Sequence, residues 1–127
     1  MPGKNKIMIV DDNPIDQLIT EQVLRLNDKN GDIIVMNTVN EALVYLSSNA
    51  KNPTALPLWI FLDLDMPVLN GFDFLRQFNE CADEVKEGCS IVVVTGSEVI
   101  EDIEKIKLNP YVVNLIAKPL RRGSIVL

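Results

Sequence analysis

The chain has 127 residues, 47% of them hydrophobic, enough for one domain with a proper core and too few for two ordinary ones, so a separate output domain is not expected. Twelve basic residues against eighteen acidic ones give a net charge of -6, and the basic side chains cluster no further than the pair Arg121-Arg122, which argues against nucleic acid as a partner. No apolar run approaches the roughly 18 residues of a membrane span and no charged-then-apolar leader opens the chain, so a soluble, cytoplasmic protein without membrane contact is expected.

The first apolar run, Ile7 to Val10, is continuous rather than alternating and predicts a strand buried on both faces. Asn13 then offers an N-cap and Pro14 the first helical position for a helix with Ile15, Leu18, Ile19, Val23 and Leu26 as its apolar stripe, ending near Asn27. A second strand is predicted over Asp32 to Met36. Thr38 with Glu41 three residues on has the form of a capping box for a helix that turns Val39, Ala42, Leu43 and Leu46 inward and stops before Pro53. Leu58 to Leu62 reads as the third strand. Asn70-Gly71 opens a third helix carrying Phe74, Leu75 and Phe78, and the charged segment from Glu80 to Gly88 either extends that helix or loops around it. Ile91 to Val94 is a fourth continuous apolar strand. Ser97 caps the next helix, with Glu98, Glu101 and Asp102 in its first turn, Val99, Ile103 and Ile106 inward, and Asn109-Pro110 as its end. A fifth strand follows over Val112 to Ala117. Strands separated by helices imply a parallel sheet covered on both faces, an α/β doubly wound fold.

In such a sheet, ligands bind outside the carboxyl ends of the strands, near the point where strand order reverses. Asp11 and Asp12 follow the first strand, Asp63 the third, Thr95 the fourth and Lys118 the fifth. Taken singly, Asp11-Asp12 before Asn13-Pro14 is a turn or capping cluster, and Lys118 before Pro119 is a solvated residue. Taken together, converging carboxylates repel by roughly 4 kcal/mol per pair at about 4 Å and an effective dielectric near 20, unless a cation lies between them. A few protein oxygens with room for water and phosphate suit Mg²⁺. Asp63 is then the natural acceptor, since an ionised carboxylate beside Mg²⁺ displaces a phosphoryl group in line without a general base. Asp65 points differently and lends the metal its backbone carbonyl, while Lys118 is a counter-charge to a phosphoryl oxygen or a carboxylate. Thr95 either ends a strand or bonds the incoming phosphoryl group, with Gly96 leaving space beside it. A cis peptide at Pro119 is one way to aim Lys118 inward. The chain contains no histidine, which removes the commonest general base and any phosphohistidine carrier role, and Cys81 and Cys89 lack a metal-binding spacing and read as free thiols.

Asp11-Asp12, Asp63-x-x-Met66-Pro67-x-x-x-Gly71, Thr95-Gly96 and Lys118-Pro119, in this order and spacing, resemble the receiver domain of two-component response regulators over nearly the whole chain, in the stand-alone, chemotaxis-receiver-like form. The resemblance implies a flavodoxin-like sheet of five parallel strands in the order 2-1-3-4-5, with Asp63 as phosphoacceptor. It implies Mg²⁺ held by the carboxylates of Asp12 and Asp63, by the Asp65 carbonyl, and through water by Asp11, with Thr95 and Lys118 on the phosphoryl group. The donor it implies is a phosphohistidine on a sensor histidine kinase or a histidine phosphotransfer protein, and the output is a downstream protein target or a further step of a relay. Such a domain is a signalling module that catalyses only its own phosphorylation and dephosphorylation, with Asp65 and Ser97 flanking the path of attacking water.

Two positions depart from the family pattern. Leu115 stands three residues before Lys118, where receivers carry a Tyr or Phe that moves inward with the Thr, so the switch pair here is Thr95 and Leu115. After Pro119 only Leu120 to Leu127 remain, with Gly123 among them, so the last helix is expected to be short or missing and the surface it would cover to lead either to self-association as a homodimer or to reduced stability. Two alternatives remain beside the phosphoacceptor. A haloacid-dehalogenase-like phosphatase shares an Asp63-Leu64-Asp65 pattern but places its nucleophile on the first strand; a degenerate receiver acts only as a binding module.

Overall fold

The computed structural model describes residues 5–66, 68–96, 99–118, 120–121 and 123–124. In chain order the elements are β1 (Lys6–Val10), α1 (Pro14–Asn27), β2 (Asp32–Met36), α2 (Val39–Ser48), β3 (Trp59–Asp63), α3 (Gly71–Phe78), α4 (Asp83–Gly88), β4 (Ser90–Thr95), α5 (Ile100–Lys107) and β5 (Val112–Ala117). The strands form one five-stranded parallel sheet in the order β2-β1-β3-β4-β5. Strand order reverses beside β1, so the carboxyl ends of β1 and β3 flank the crevice where such sheets take their ligands.

The continuous apolar runs are the central strands. Ile7, Met8, Ile9 and Val10 are all essentially inaccessible, as are Ile60, Leu62, Ile91 and Val93. Alternation along each strand divides the core into two layers. Met8, Val10, Ile60, Leu62, Ile91 and Val93 pack with Leu43 and Leu46 of α2, Phe74 and Phe78 of α3, Val85 of α4 and Ile106 of α5. Ile7, Ile9, Phe61, Val92, Val94 and Ile116 pack on the other face with Val23 and Leu24 of α1 and with Leu120.

Strand positions agree with the sequence reading, with one displacement that matters. β3 runs from Trp59 to Asp63 rather than from Leu58, which is exposed, so Asp63 is the last residue of the strand and pairs in register with Val94.

The stripe expected on α1 is corrected in part: Val23 is buried and Ile19 packs half-buried against the same layer, as expected. Ile15, Leu18 and Leu26 are exposed, at 70%, 57% and 60%, while Thr20, Val23 and Leu24 are buried. Both sets have helical spacing, and polar ties at the first turn select between them. Asn13 caps the backbone N–H groups of Ile15 and Asp16, and the Gln17 amide donates to the Asp11 carbonyl and to Asn37 Oδ1. These bonds fix the rotation of α1 and turn Ile15 and Leu18 to solvent.

The cap of α2 also differs in detail. Thr38 Oγ1 accepts from the Glu41 N–H as expected, but the Glu41 carboxylate accepts from the Asn37 N–H, one residue earlier than a capping box requires. The complete reciprocal box is at α3, between Asn70 and Asp73. The charged segment after α3 is neither an extension nor a plain loop, since it forms the separate short helix α4, anchored by buried Val85. Glu101 and Asp102 lie in the first turn of α5 and Ile106 is buried, but Val99, expected inward, is 53% exposed at the N-cap position. Ser97 as a cap and the peptide at Pro119 lie outside the described residues. After β5 the described residues hold no helix; Leu120 is buried, and a turn follows in which the Ser124 N–H donates to the Arg121 carbonyl.

Gly71 fixes the distance between α3 and the end of β3. A Cβ at this position would lie 2.8 Å from Leu64 Cα and 2.9 Å from the Asp63 carbonyl oxygen, closer than real side chains approach backbone. The Gly71 N–H donates to the Leu64 carbonyl at 3.0 Å, locking the same contact. Gly71→Ala is therefore expected to lower stability by about 1–3 kcal/mol in urea denaturation, by overpacking against backbone that cannot swing away. A loss below about 0.5 kcal/mol, the level of an ordinary surface substitution, would show that the Asp63–Leu64 turn yields freely.

Candidate functional site

The carboxyl ends of β1, β3 and β5 bring the sequence-predicted acids and the lysine together. One carboxylate oxygen from each of Asp11, Asp12 and Asp63 lies within 4.8 Å of the others. Asp11 and Asp63 are buried, at 3% and 5% exposure, and Asp12 is exposed. The Lys118 ammonium lies 3.2 Å from Asp63 Oδ1, 3.3 Å from Asp11 Oδ2 and 2.9 Å from Asp16 Oδ2. Strand alternation explains part of the convergence: Asp63 shares the face of Phe61, the side covered by α1, so the first turn of α1 overhangs it.

Local bonds hold each acid in place. Asp11 Oδ1 accepts from the Asn13 N–H at 2.9 Å, and Asp63 Oδ1 accepts from the Asp65 N–H at 3.2 Å. Lys118 is set by its own backbone, whose N–H donates to the Thr95 carbonyl at 2.9 Å, one position past the Thr95–Ala117 pair. The result is a cleft of about 490 Å³ lined by Asp12, Asp16, Asp63, Asp65, Gly96 and Lys118.

Burial and mutual repulsion shape the proton affinities. Burial pushes the Asp63 carboxyl from its ordinary 3.8 to about 6, with the Lys118 charge opposing the shift and the Asp11 charge adding to it. Asp11 is raised as well, chiefly by burial, against the Asn13 N–H and Lys118. For Lys118, burial disfavours the ammonium, but the hydrogen bond it donates to Asp16 and the fields of Asp63 and Asp11 outweigh it and hold the group above the usual lysine range. One cation thus faces three carboxylates, which leaves the site short of positive charge.

Thr95 is buried at the end of β4, and alternation puts it on the face of Val93, opposite the α1 side. Leu115 is half-buried, pairs in register with Val93, and packs against the same core layer.

The family model for the response regulator receiver domain matches residues 7–127. The chain belongs to the response regulator receiver family. A receiver protein from Dyadobacter fermentans is 27% identical, with a TM-score of 0.79 over 93% of this chain and 89% of that one. Two more distant structures show the same fold: a two-component response regulator from Cytophaga hutchinsonii, at 20% identity and TM-score 0.85 over 97% of this chain and 92% of that one, and the Vibrio cholerae chemotaxis protein CheY4, at 24% and 0.73 over 96% and 92%. No curated protein matches the chain by sequence. Among the described residues, no helix of this receiver is long and apolar enough to cross a membrane.

The donor set of the acidic cleft fits a hard divalent cation. It offers carboxylate oxygens only, from three residues close enough to share one ion, with space for water ligands. Neither thiol is part of it: Cys89 is buried, its thiol pushed up to about 12 by burial, and Cys81 is raised in the same way.

Asp16 is the site residue that the sequence reading misses. Its signal is an acid five positions after Asp11, in the first turn of a helix whose N-terminus opens on the acidic pair, but recognising it requires the rotation of α1.

The raised Asp63 carboxyl has a measurable consequence in metal-free protein. Between the unfolded value of 3.8 and the folded value of about 6, the native state holds the extra proton, so this group stabilises fully at low pH and its contribution is lost as pH rises through about 6. Asp63→Asn removes that loss and is expected to be more stable than the wild type by about 1–3 kcal/mol at neutral pH without divalent ions, the gap closing below about pH 4. Urea denaturation of both proteins across this range, in chelator, checks it; a wild type more stable than the variant at neutral pH would contradict the burial cost.

Proposed function

We propose that this receiver takes a phosphoryl group from a phosphohistidine onto Asp63 in a Mg²⁺-dependent reaction, and signals by changed protein binding or by passing the group along a relay. The observation that carries this reading is the Lys118 ammonium at 3.2 Å from a buried, strand-end Asp63, inside a cluster of three carboxylates. In the reaction an Asp63 oxygen forms the new O–P bond as the donor's P–N bond breaks, and that bond's electron pair stays on the imidazole nitrogen. No general base is needed, because the attacking carboxylate is already ionised at neutral pH.

Asp12 and Asp63 would hold the ion through carboxylates, Asp65 through its carbonyl and Asp11 through water. Bound there, Mg²⁺ supplies positive charge that offsets the acids and the developing phosphoryl charge. Asp63 itself is the nucleophile. Lys118 orients a phosphoryl oxygen by charge-assisted hydrogen bonding, and Thr95 takes another through its hydroxyl. The new group adds about -1.5 to -2 charges beside the β4 end, and the response expected is an inward move of Thr95 with repacking of Leu115, whose smaller, non-polar side chain takes the place of an aromatic switch.

The donor and the reader are proteins in this proposal: a sensor histidine kinase or histidine phosphotransfer protein, and a downstream target, with a homodimer as a further state. The exposed Ile15 and Leu18 on α1, beside the acidic cleft, are the surface on which a donor would dock.

Incubation with acetyl phosphate and Mg²⁺ followed by intact mass tests the acceptor. One phosphoryl increment is expected in the wild type and none in Asp63→Asn or in chelator. Continuous turnover of the donor without a retained label would favour a phosphatase, and no label at all would favour a binding module. Leu18→Asp separates the docking surface from the chemistry, since labelling by acetyl phosphate should stay within about twofold while transfer from a phosphorylated histidine protein falls by about tenfold or more, the size of a buried interface anchor.

A further inference from the structure

Lys118 pairs with three carboxylates, and its closest partner is the one that no receiver role accounts for. Asp16 Oδ2 lies at 2.9 Å from the ammonium, against 3.2 Å for Asp63 and 3.3 Å for Asp11. Hydrogen bonds run from the ammonium to Asp16 and Asp11, and Asp63 is held as an ion pair. Asp11 and Asp63 are nearly inaccessible, with side chains 4% and 5% exposed, and have nowhere else to turn; Asp16, at 35%, borders solvent. It is therefore the partner that can let go. One nitrogen holds Asp16 at 2.9 Å and Asp63 at 3.2 Å, so the two carboxylate oxygens lie within about 6 Å of each other.

We infer that Asp16 is a positioning residue that competes with the phosphoryl group for Lys118, holding the ammonium in the unphosphorylated state and opposing the charge that arrives on Asp63. This rests on the reading of Asp63 as the phosphoacceptor. A phosphoryl group on Asp63 puts its oxygens beside the Asp16 carboxylate, so one ammonium then serves two anionic groups. Asp16 lowers both the affinity of the site for a phosphoryl group and the fraction of protein that stays modified. Its place on the first turn of α1 also links the contact to the helix that carries Ile15 and Leu18, so a donor seated on those side chains lies next to the pair it has to open.

The probe is beryllium fluoride with Mg²⁺, a phosphoryl mimic that binds an aspartate oxygen, with bound fluoride followed by ¹⁹F NMR; labelling by acetyl phosphate runs in parallel. Asp16→Asn is expected to bind the mimic about tenfold more tightly than the wild type and to label faster by a similar factor, the size expected for one nearby charge. The advantage should shrink to about twofold or less near 1 M salt, where screening is strong. Asp16→Glu keeps the charge and should remain near the wild type, and Glu87→Gln, which removes an exposed charge on α4, should change nothing. Equal or weaker binding by Asp16→Asn in a folded protein would overturn the competition, as would a gain that persists at high salt or is matched by Glu87→Gln. A wild type that neither binds the mimic nor labels at Asp63 would instead overturn the acceptor reading, and this inference with it.

Discussion

The architecture turns on a shortage of positive charge. Four acids, Asp11, Asp12, Asp16 and Asp63, crowd the carboxyl ends of β1 and β3 and the first turn of α1, with Lys118 as the cation bound among them. Two of these acids are buried, and the cost shows in the raised proton affinities of Asp11 and Asp63. A protein maximising stability alone would fill such a place with apolar side chains. The sheet instead spends part of what its core contributes on keeping carboxylates together, in a cleft whose donor set fits a hard divalent cation.

The scaffold that tolerates this crowding is made of ordinary parts. Central strands inaccessible on both faces give β1, β3 and β4 little freedom, so their last residues are presented at nearly fixed positions. Gly71 presses α3 against the turn after Asp63, and the Lys118 amide is tied to the Thr95 carbonyl across β4 and β5. Rigid strand ends matter because charge–charge energies change steeply over an ångström at these separations.

Most of the fold was legible because continuous apolar runs such as Ile7–Val10 and Ile91–Val94 admit few alternatives to buried parallel strands, and Asn13-Pro14 and Asn70-Gly71 mark helix starts by their own chemistry. The acids and the lysine were legible for the same reason, since each sits at or just past a strand end. α1 was less so. Its sequence carries apolar residues at helical spacing on more than one face, and the choice of Val23 and Leu24 over Ile15, Leu18 and Leu26 as inward residues is made by polar contacts of Gln17 and Asp16 with Asp11, Asn37 and Lys118. Asp16 was hidden by the same ambiguity, because a helix must be rotated correctly before one knows which of its charges overlooks a site. The capping partner of Glu41 and the helix α4 are local details that spacing alone leaves undecided.

The division of the sheet into two faces has a consequence for traffic. Asp63, Asp16 and the apolar pair on α1 lie to one side, while Thr95 and Leu115 belong to the layer that α2, α3 and α5 cover. A protein proposed to load the site and one proposed to sense its state would not need the same surface. On the proposed function, the loading surface and the switch pair are then separated by a sheet one layer thick.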